Sequence, residues 1–194
     1  MLIFFDSSHF VIGIGILVIL LPLLWWQKHS LPYLVFFSIF WLYLLAVVQE
    51  VFFPFAIDVD YNNATFRPNI NLIPFYFGDC SFMEICTRQI FQNIAFTIPF
   101  GFGINFLTAV KTKKSFLLAL GVGLGFEFSQ LMISLATKNS FRVIDVNDVL
   151  LNAAGILLGY GFFKVFALIY RKLPKQLLLE PTGFAKYIDE MTRQ

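Results

Sequence analysis

G-V-G-L-G-F-E-F-S-Q-L-M-I-S-L (Gly121–Leu135), A-T-K-N-S-F-R-V-I-D-V-N-D-V (Ala136–Val149) and L-L-N-A-A-G-I-L-L-G-Y-G (Leu150–Gly161) make two apolar runs joined by a short polar bridge. Both runs suit a membrane interior. Yet the first carries Glu127 and Gln130, and Asp145, Asp148 and Asn152 stand at the opening of the second. At about 100° per residue, Gly123, Glu127, Gln130 and Ser134 fall within roughly 60° of one another, and Asp145, Asp148, Asn152, Gly155 and Gly159 within roughly 80°. This spacing predicts two narrow stripes of polar and small residues, facing each other on adjacent antiparallel helices. A carboxylate at the centre of a membrane helix costs about 2.5–3.5 kcal/mol on insertion scales. Such residues are paired, hydrated or used. One reading makes them interhelical hydrogen-bond glue, with glycines admitting close backbone approach. The other makes them a site, because five acidic or amide groups exceed what one helix contact needs.

Composition sets the class. Hydrophobic residues make up 58% of the chain and charged residues 13%, with 26 Phe among 194 residues. An ordinary soluble domain carries about 25% charged residues. The expected fold is therefore all-α: one polytopic membrane bundle of about five transmembrane helices, forming a single domain. The spans expected are 10–26, 31–55, 90–110, 115–135 and 149–170, with an outer loop over 56–88 and a cytoplasmic tail over 171–194. The first span is flanked by Asp6, with no Lys or Arg before it and no small-residue cleavage site after it, unlike a signal peptide. His9 and His29 bracket it and read as interfacial side chains, since no ligand cluster accompanies them.

Gln49 and Glu50 interrupt the end of the second span, and Glu50 reads as interfacial or as a further acidic member of the site. Pro68–Phe77 is too apolar for a free loop and is expected to lie on or dip into the membrane surface, where protein or water must cover its backbone. Asn63 begins an N-A-T sequon that matters only in a eukaryotic secretory setting. Cys80 and Cys86 would close a small disulfide loop if this segment is outside the cell, and their spacing is a poor metal signature. Pro99 is expected to kink the third span and free a carbonyl. The G-x-G pairs lie inside membrane helices without the strand-then-helix context of a nucleotide loop, so they read as packing sites, and no nucleic-acid partner is expected.

Charge orients the bundle. Lys28, Lys111, Lys113, Lys114, Arg171, Lys172 and Lys175 fall on one side, whereas Arg67, Arg88, Lys138 and Arg142 on the other are diluted by nearby acids. The positive-inside rule places the first set in the cytoplasm, the C-terminus with it and the N-terminus outside. Asn71, Arg88, Asn93, Glu127, Gln130, Arg142, Asp145, Asp148 and Asn152 then converge on the outer side of a cell membrane.

Four blocks resemble the VanZ-like membrane proteins: N-L-I-P-F (Asn71–Phe75), N-I-A-F-T-I-P-F-G-F (Asn93–Phe102), G-F-E-F-S-Q (Gly125–Gln130) and R-V-I-D-V-N-D-V-L-L-N-A-A-G-I-L-L-G-Y (Arg142–Tyr160). They span about half the chain, and the last is the most specific. The resemblance implies a bacterial cell-envelope role and an association with resistance to lipoglycopeptide antibiotics such as teicoplanin. It names no reaction.

The residues themselves suggest an amphiphilic ligand of the outer leaflet, such as a lipid-linked cell-wall intermediate or another phosphate-bearing lipid. Its head would lie against Glu127, Arg142 and Asp148, with Asn71, Arg88, Asn93, Gln130, Asp145 and Asn152 as further contacts. If chemistry occurs, Glu127 and Asp148 are its catalytic candidates, and Glu127, among Phe126, Phe128 and Leu131, is the better general acid or base. Asp145 and Asp148, one turn apart, would suit a divalent cation such as Mg²⁺. Alternatively, Arg142 pairs with Asp145 and caps the fifth helix. The rival functions are a non-catalytic scaffold and a proton-coupled carrier. The carrier is disfavoured because no internal repeat is detectable.

Overall fold

The computed structural model describes residues 2–56, 66–77, 83–139, 142–172 and 183–193. Leu2–Ile3 forms a short strand, β1, and Asp6 then caps helix α1 (Ser7–Trp26). Its carboxylate accepts the N–H groups of Ser8 (3.0 Å) and His9 (3.3 Å), while its own N–H donates to His9 Nδ1 at 3.3 Å. Donors with no partner inside the helix are thus satisfied, and His9 serves as part of the cap. Helix α2 (Leu31–Phe52) runs back beside α1, with Trp41 Nε1 donating to the Gly13 carbonyl at 2.9 Å. It ends where β2 (Phe55–Ala56) pairs antiparallel with β1.

Strand β3 (Ile70–Asn71) precedes α3 (Met83–Gly103), a single 3-10 turn at Ile104–Phe106 and α4 (Thr112–Thr137). Strand β4 (Ile144–Asp145) follows, pairing parallel with β3, then α5 (Val146–Lys172) and α6 (Phe184–Thr192). Helices α1 to α5 alternate in direction. Among the described residues, α1, α2, α4 and α5 are long and apolar enough to cross a membrane. Exposed Val11, Ile19, Leu117, Phe128 and Val165 cover their outer faces, a surface that lipid rather than water accommodates. Helix α3 has the length, at 21 residues, but Arg88, Gln89, Gln92 and Asn93 keep its first half less apolar.

The third helix lies earlier than its sequence expectation, at 83–103 rather than 90–110. Asn105 Nδ2 donates to the Gly101 carbonyl at 2.7 Å and takes an acceptor that another helical turn would use. The second helix likewise stops at Phe52, short of residue 55. The Cys80–Cys86 pairing and Asn63 lie outside the described residues.

Helix α5 is central, packed along α3 and also against α4, with Ala119, Ala153 and Ile156 buried between them. Small residues set these distances. A β-carbon at Gly123 would lie 2.8 Å from the Val149 carbonyl, so α4 and α5 pack closely there, at a residue off the α5 stripe. Gly155 and Gly159 correct the expectation. They turn to α3, where a β-carbon would overlap the carbonyls of Ile94 and Ile98, and Gly101 of α3 is pressed against the Ile156 carbonyl.

At the far end, α6 docks through Tyr187, whose hydroxyl donates to the Phe106 carbonyl at 2.5 Å. The Phe36 ring stacks 4.5 Å from that of Phe106 and 5.8 Å from that of Tyr187. This end carries Lys28 and Lys111–Lys114; the polar groups gather at the other.

Candidate functional site

The start of α5 organises the site. Asp145 Oδ1 accepts the Asn147 N–H at 2.8 Å, the bond of a helix-capping residue, so Asp145 stands ahead of the helix rather than on its polar stripe. The Asp145 N–H in turn donates to Glu127 Oε2 at 2.8 Å. Glu127 is 6% exposed, and this bond ties the middle of α4 to the entry of α5.

The N-L-I-P-F segment is clamped onto the same point. Asn71 Nδ2 donates to Asp145 Oδ1 (3.0 Å) and to the Tyr76 carbonyl (2.9 Å), while Asn71 Oδ1 accepts the Ile73 N–H at 3.1 Å. Asn147, 2% exposed, grips the segment's far side. Its Oδ1 accepts the Phe75 N–H at 2.6 Å and its Nδ2 donates to the Tyr76 carbonyl at 2.8 Å. These amides satisfy irregular backbone at a bundle end where Leu72, Ile73 and Phe75 are exposed.

Beneath the clamp lies a cavity of about 170 Å³ between α2, α3, α4 and α5. Glu50, Gln89, Gln92, Asn93, Glu127, Gln130, Arg142, Asp148 and Asn152 supply its polar lining, with Val47, Val51, Phe96 and Phe126 as apolar wall. Asp148 Oδ1 accepts Asn93 Nδ2 at 2.5 Å and Gln89 Nε2 at 3.5 Å. Gln130 Nε2 donates to the Val51 carbonyl at 3.0 Å, and an Arg142 terminal nitrogen donates to the Glu50 carbonyl at 2.7 Å. Both therefore cap the C-terminal end of α2, where free carbonyls and the helix dipole favour donors and cations. Asn152 is 5% exposed, and its amide makes no side-chain hydrogen bond among the described residues. Every deeply buried side-chain nitrogen or oxygen among those residues has a partner, so the Asn152 amide and the second oxygen of Glu127 reach the cavity.

A separate apolar groove of about 220 Å³ lies further along the α2–α3 seam, lined by Ile39, Phe40, Tyr43, Pro99 and Phe102 among others. Tyr43 of the groove donates its hydroxyl to the carbonyl of Phe96 in the cavity wall at 2.6 Å. From Tyr43 to Glu50 is about 10 Å of helix.

A family profile for VanZ/LLP1 matches residues 40–167. The chain belongs to the VanZ/LLP1 family. No curated protein and no solved structure shows significant similarity to it. The VanZ/LLP1 match runs from the middle of α2 to near the end of α5 and takes in every element that lines the cavity; α1 and α6 lie outside it.

Within this VanZ-like bundle the expected site residues divide. Asn93, Glu127, Gln130, Arg142, Asp148 and Asn152 line the cavity. Asn71 and Asp145 do not; they hold the N-L-I-P-F segment instead. Arg88 is exposed on α3 and stands outside the lining. Asp145 and Asp148 direct their bonded oxygens to different partners, and among the described residues no group of three or more His, Cys, Asp or Glu gathers to hold a metal. Arg142 makes no ion pair within 4.0 Å among them, so the expected Arg142–Asp145 pair gives way to the α2 carbonyls.

Glu50, Gln89, Gln92 and Asn147 are further members. Glu50 has two sequence readings, interfacial or a further acidic member of the site, and it lines the cavity. Asn147 sits two residues after Asp145, the position whose N–H a capping aspartate takes, but its loop partners have no sequence signature. Asn147→Ala is expected to leave the Phe75 N–H without an acceptor. Each buried polar group left unpaired costs about 1–3 kcal/mol. Hydrogen exchange of the Phe75 amide should accelerate about tenfold or more, while amides in the middle of α5 keep their protection.

Proposed function

We propose that this VanZ-like protein binds an amphiphilic component of the bacterial envelope, lipid-linked or phosphate-bearing, at the outer face of the cell membrane. Its polar head would enter the cavity and its apolar chain would follow the α2–α3 groove. The observation that supports this reading is a charged cavity and, further along the same α2–α3 seam, a separate apolar groove. The family's association with resistance to antibiotics such as teicoplanin fits a protein that sequesters or alters such a component. A second reading, binding without conversion, is favoured by Glu127 holding the Asp145 N–H, a structural duty compatible with a scaffold.

Mass spectrometry of envelope lipids and wall precursors separates the two. Cells with the wild type, with none and with Glu127→Gln are compared. A species that changes with the wild type and reverts with Glu127→Gln marks conversion. Matching profiles with differing teicoplanin susceptibility mark binding alone, and no difference in either removes the proposal.

The orientation is part of it. With α3 counted as a crossing element, five alternating helices oriented by the positive-inside rule would have the cavity outside and Lys113 inside. With Cys80 and Cys86 replaced by serine, Lys113→Cys should react with an impermeant maleimide only after the membrane is opened. Labelling in intact cells would invert the topology.

A further inference from the structure

The charge balance of the cavity narrows the choice of head group. Part of its donor set is committed. Asn93 Nδ2 and Gln89 Nε2 are given to Asp148, Gln130 Nε2 to Val51, and an Arg142 nitrogen to Glu50. Its acceptors are not. Asp148 keeps Oδ2, Glu127 keeps Oε1, Glu50 is among the lining residues, and Asn152 presents an amide that nothing else uses. Three carboxylates face one guanidinium. The C-terminal end of the α2 dipole, although Gln130 and Arg142 cap its Val51 and Glu50 carbonyls, adds negative potential.

We infer that the head of the bound amphiphile carries an ammonium group, seated against Asp148, Glu127 and Asn152. The inference rests on the amphiphile reading proposed above. An ammonium has three donors and no acceptor, and it matches the open carboxylate oxygens and the excess of acids over the single guanidinium. Phe96 and Phe126 in the wall suit a cation, whose charge an aromatic face attracts. A purely anionic head meets a potential of its own sign, with the remaining N–H groups of Arg142 and the Asn152 and Gln92 amides to receive it.

The test uses the purified full chain in detergent and native mass spectrometry with three lipids of identical acyl chains: phosphatidylethanolamine, its N-acetylated derivative and phosphatidylglycerol. Phosphatidylethanolamine should be retained about tenfold or more over phosphatidylglycerol, and acetylation, which removes the positive charge and two of the three N–H donors while adding an acetyl group, should abolish the advantage. Glu127→Gln combined with Asp148→Asn should erase it too. Equal or preferential binding of phosphatidylglycerol overturns the ammonium assignment and leaves the amphiphile site standing. So does phosphatidylglycerol binding that needs Mg²⁺ and disappears with EDTA, because the acids would then hold a cation bridging to phosphate. Retention of none of the lipids overturns both readings. Should the double variant fail to fold, the wild-type comparison of the amine with its acetylated form decides alone.

Discussion

Gly159→Val should leave almost no folded protein in the membrane, and Gly155→Val and Gly101→Val should do the same. At each position a β-carbon would overlap a backbone carbonyl of the facing helix: Ile98 for Gly159, Ile94 for Gly155 and Ile156 for Gly101. Gly155 would also strike Thr97 Oγ1, itself held by the Asn93 carbonyl at 2.8 Å. A flexible side chain can rotate away; a helix backbone cannot move without separating α3 from α5 along their length. Overpacking a core typically costs about 1–3 kcal/mol, and these sites should reach the top of that range or pass it. Gly121, Gly125 and Gly161 are the controls, since a β-carbon there meets nothing within 4 Å. Alanine at those positions should be neutral or stabilise by about 0.5–1 kcal/mol through helix propensity. Fluorescence-detected size exclusion of detergent extracts measures both sets. Monomodal, full-yield Gly159→Val would mean that the α3–α5 seam is looser than its geometry.

The same residues mark how far sequence reading reaches. Periodicity placed Gly123, Glu127, Asp148 and Asn152 on inward faces because a helix imposes one angular rule on every residue. It could not say which neighbour each glycine meets. Three helices surround α5, and α3 versus α4 is decided by crossing geometry that spacing does not encode. Asp145 misled for a related reason. The 100° rule was extended one residue past the start of α5, to a position whose backbone is a strand and whose carboxylate caps the helix. Arg142 is similar. A guanidinium beside two aspartates suggests ion pairing, but the unsatisfied carbonyls at the end of α2 compete for the same donors and win. Such carbonyls exist at every helix end, and only the fold shows which side chain answers them.

Glu127→Gln should abolish whatever the protein does for its cell while leaving its folded yield unchanged, and Glu127→Ala should lose both. The separation follows from the two oxygens of one carboxylate. Oε2 accepts the Asp145 N–H at 2.8 Å, a neutral backbone contact that a glutamine oxygen reproduces. The other oxygen faces the cavity, and glutamine replaces it with a donor of no charge. Alanine removes both, so the Asp145 N–H loses its partner at a cost of about 1–3 kcal/mol, with a cavity left between α4 and α5 in addition. Asp148→Asn tests the same logic from α5, because an asparagine oxygen still accepts Asn93 Nδ2. The readouts are the size-exclusion profile, the thermal transition in detergent and the phenotype of cells lacking the wild-type gene. A folded, fully active Glu127→Gln would confine Glu127 to holding the entry of α5, and the charge of the cavity would then rest on Asp148 and Glu50. A folded, inactive Glu127→Gln alongside a folded, inactive Asp148→Asn places function on paired charges, since both variants keep every described hydrogen bond that holds the helices together.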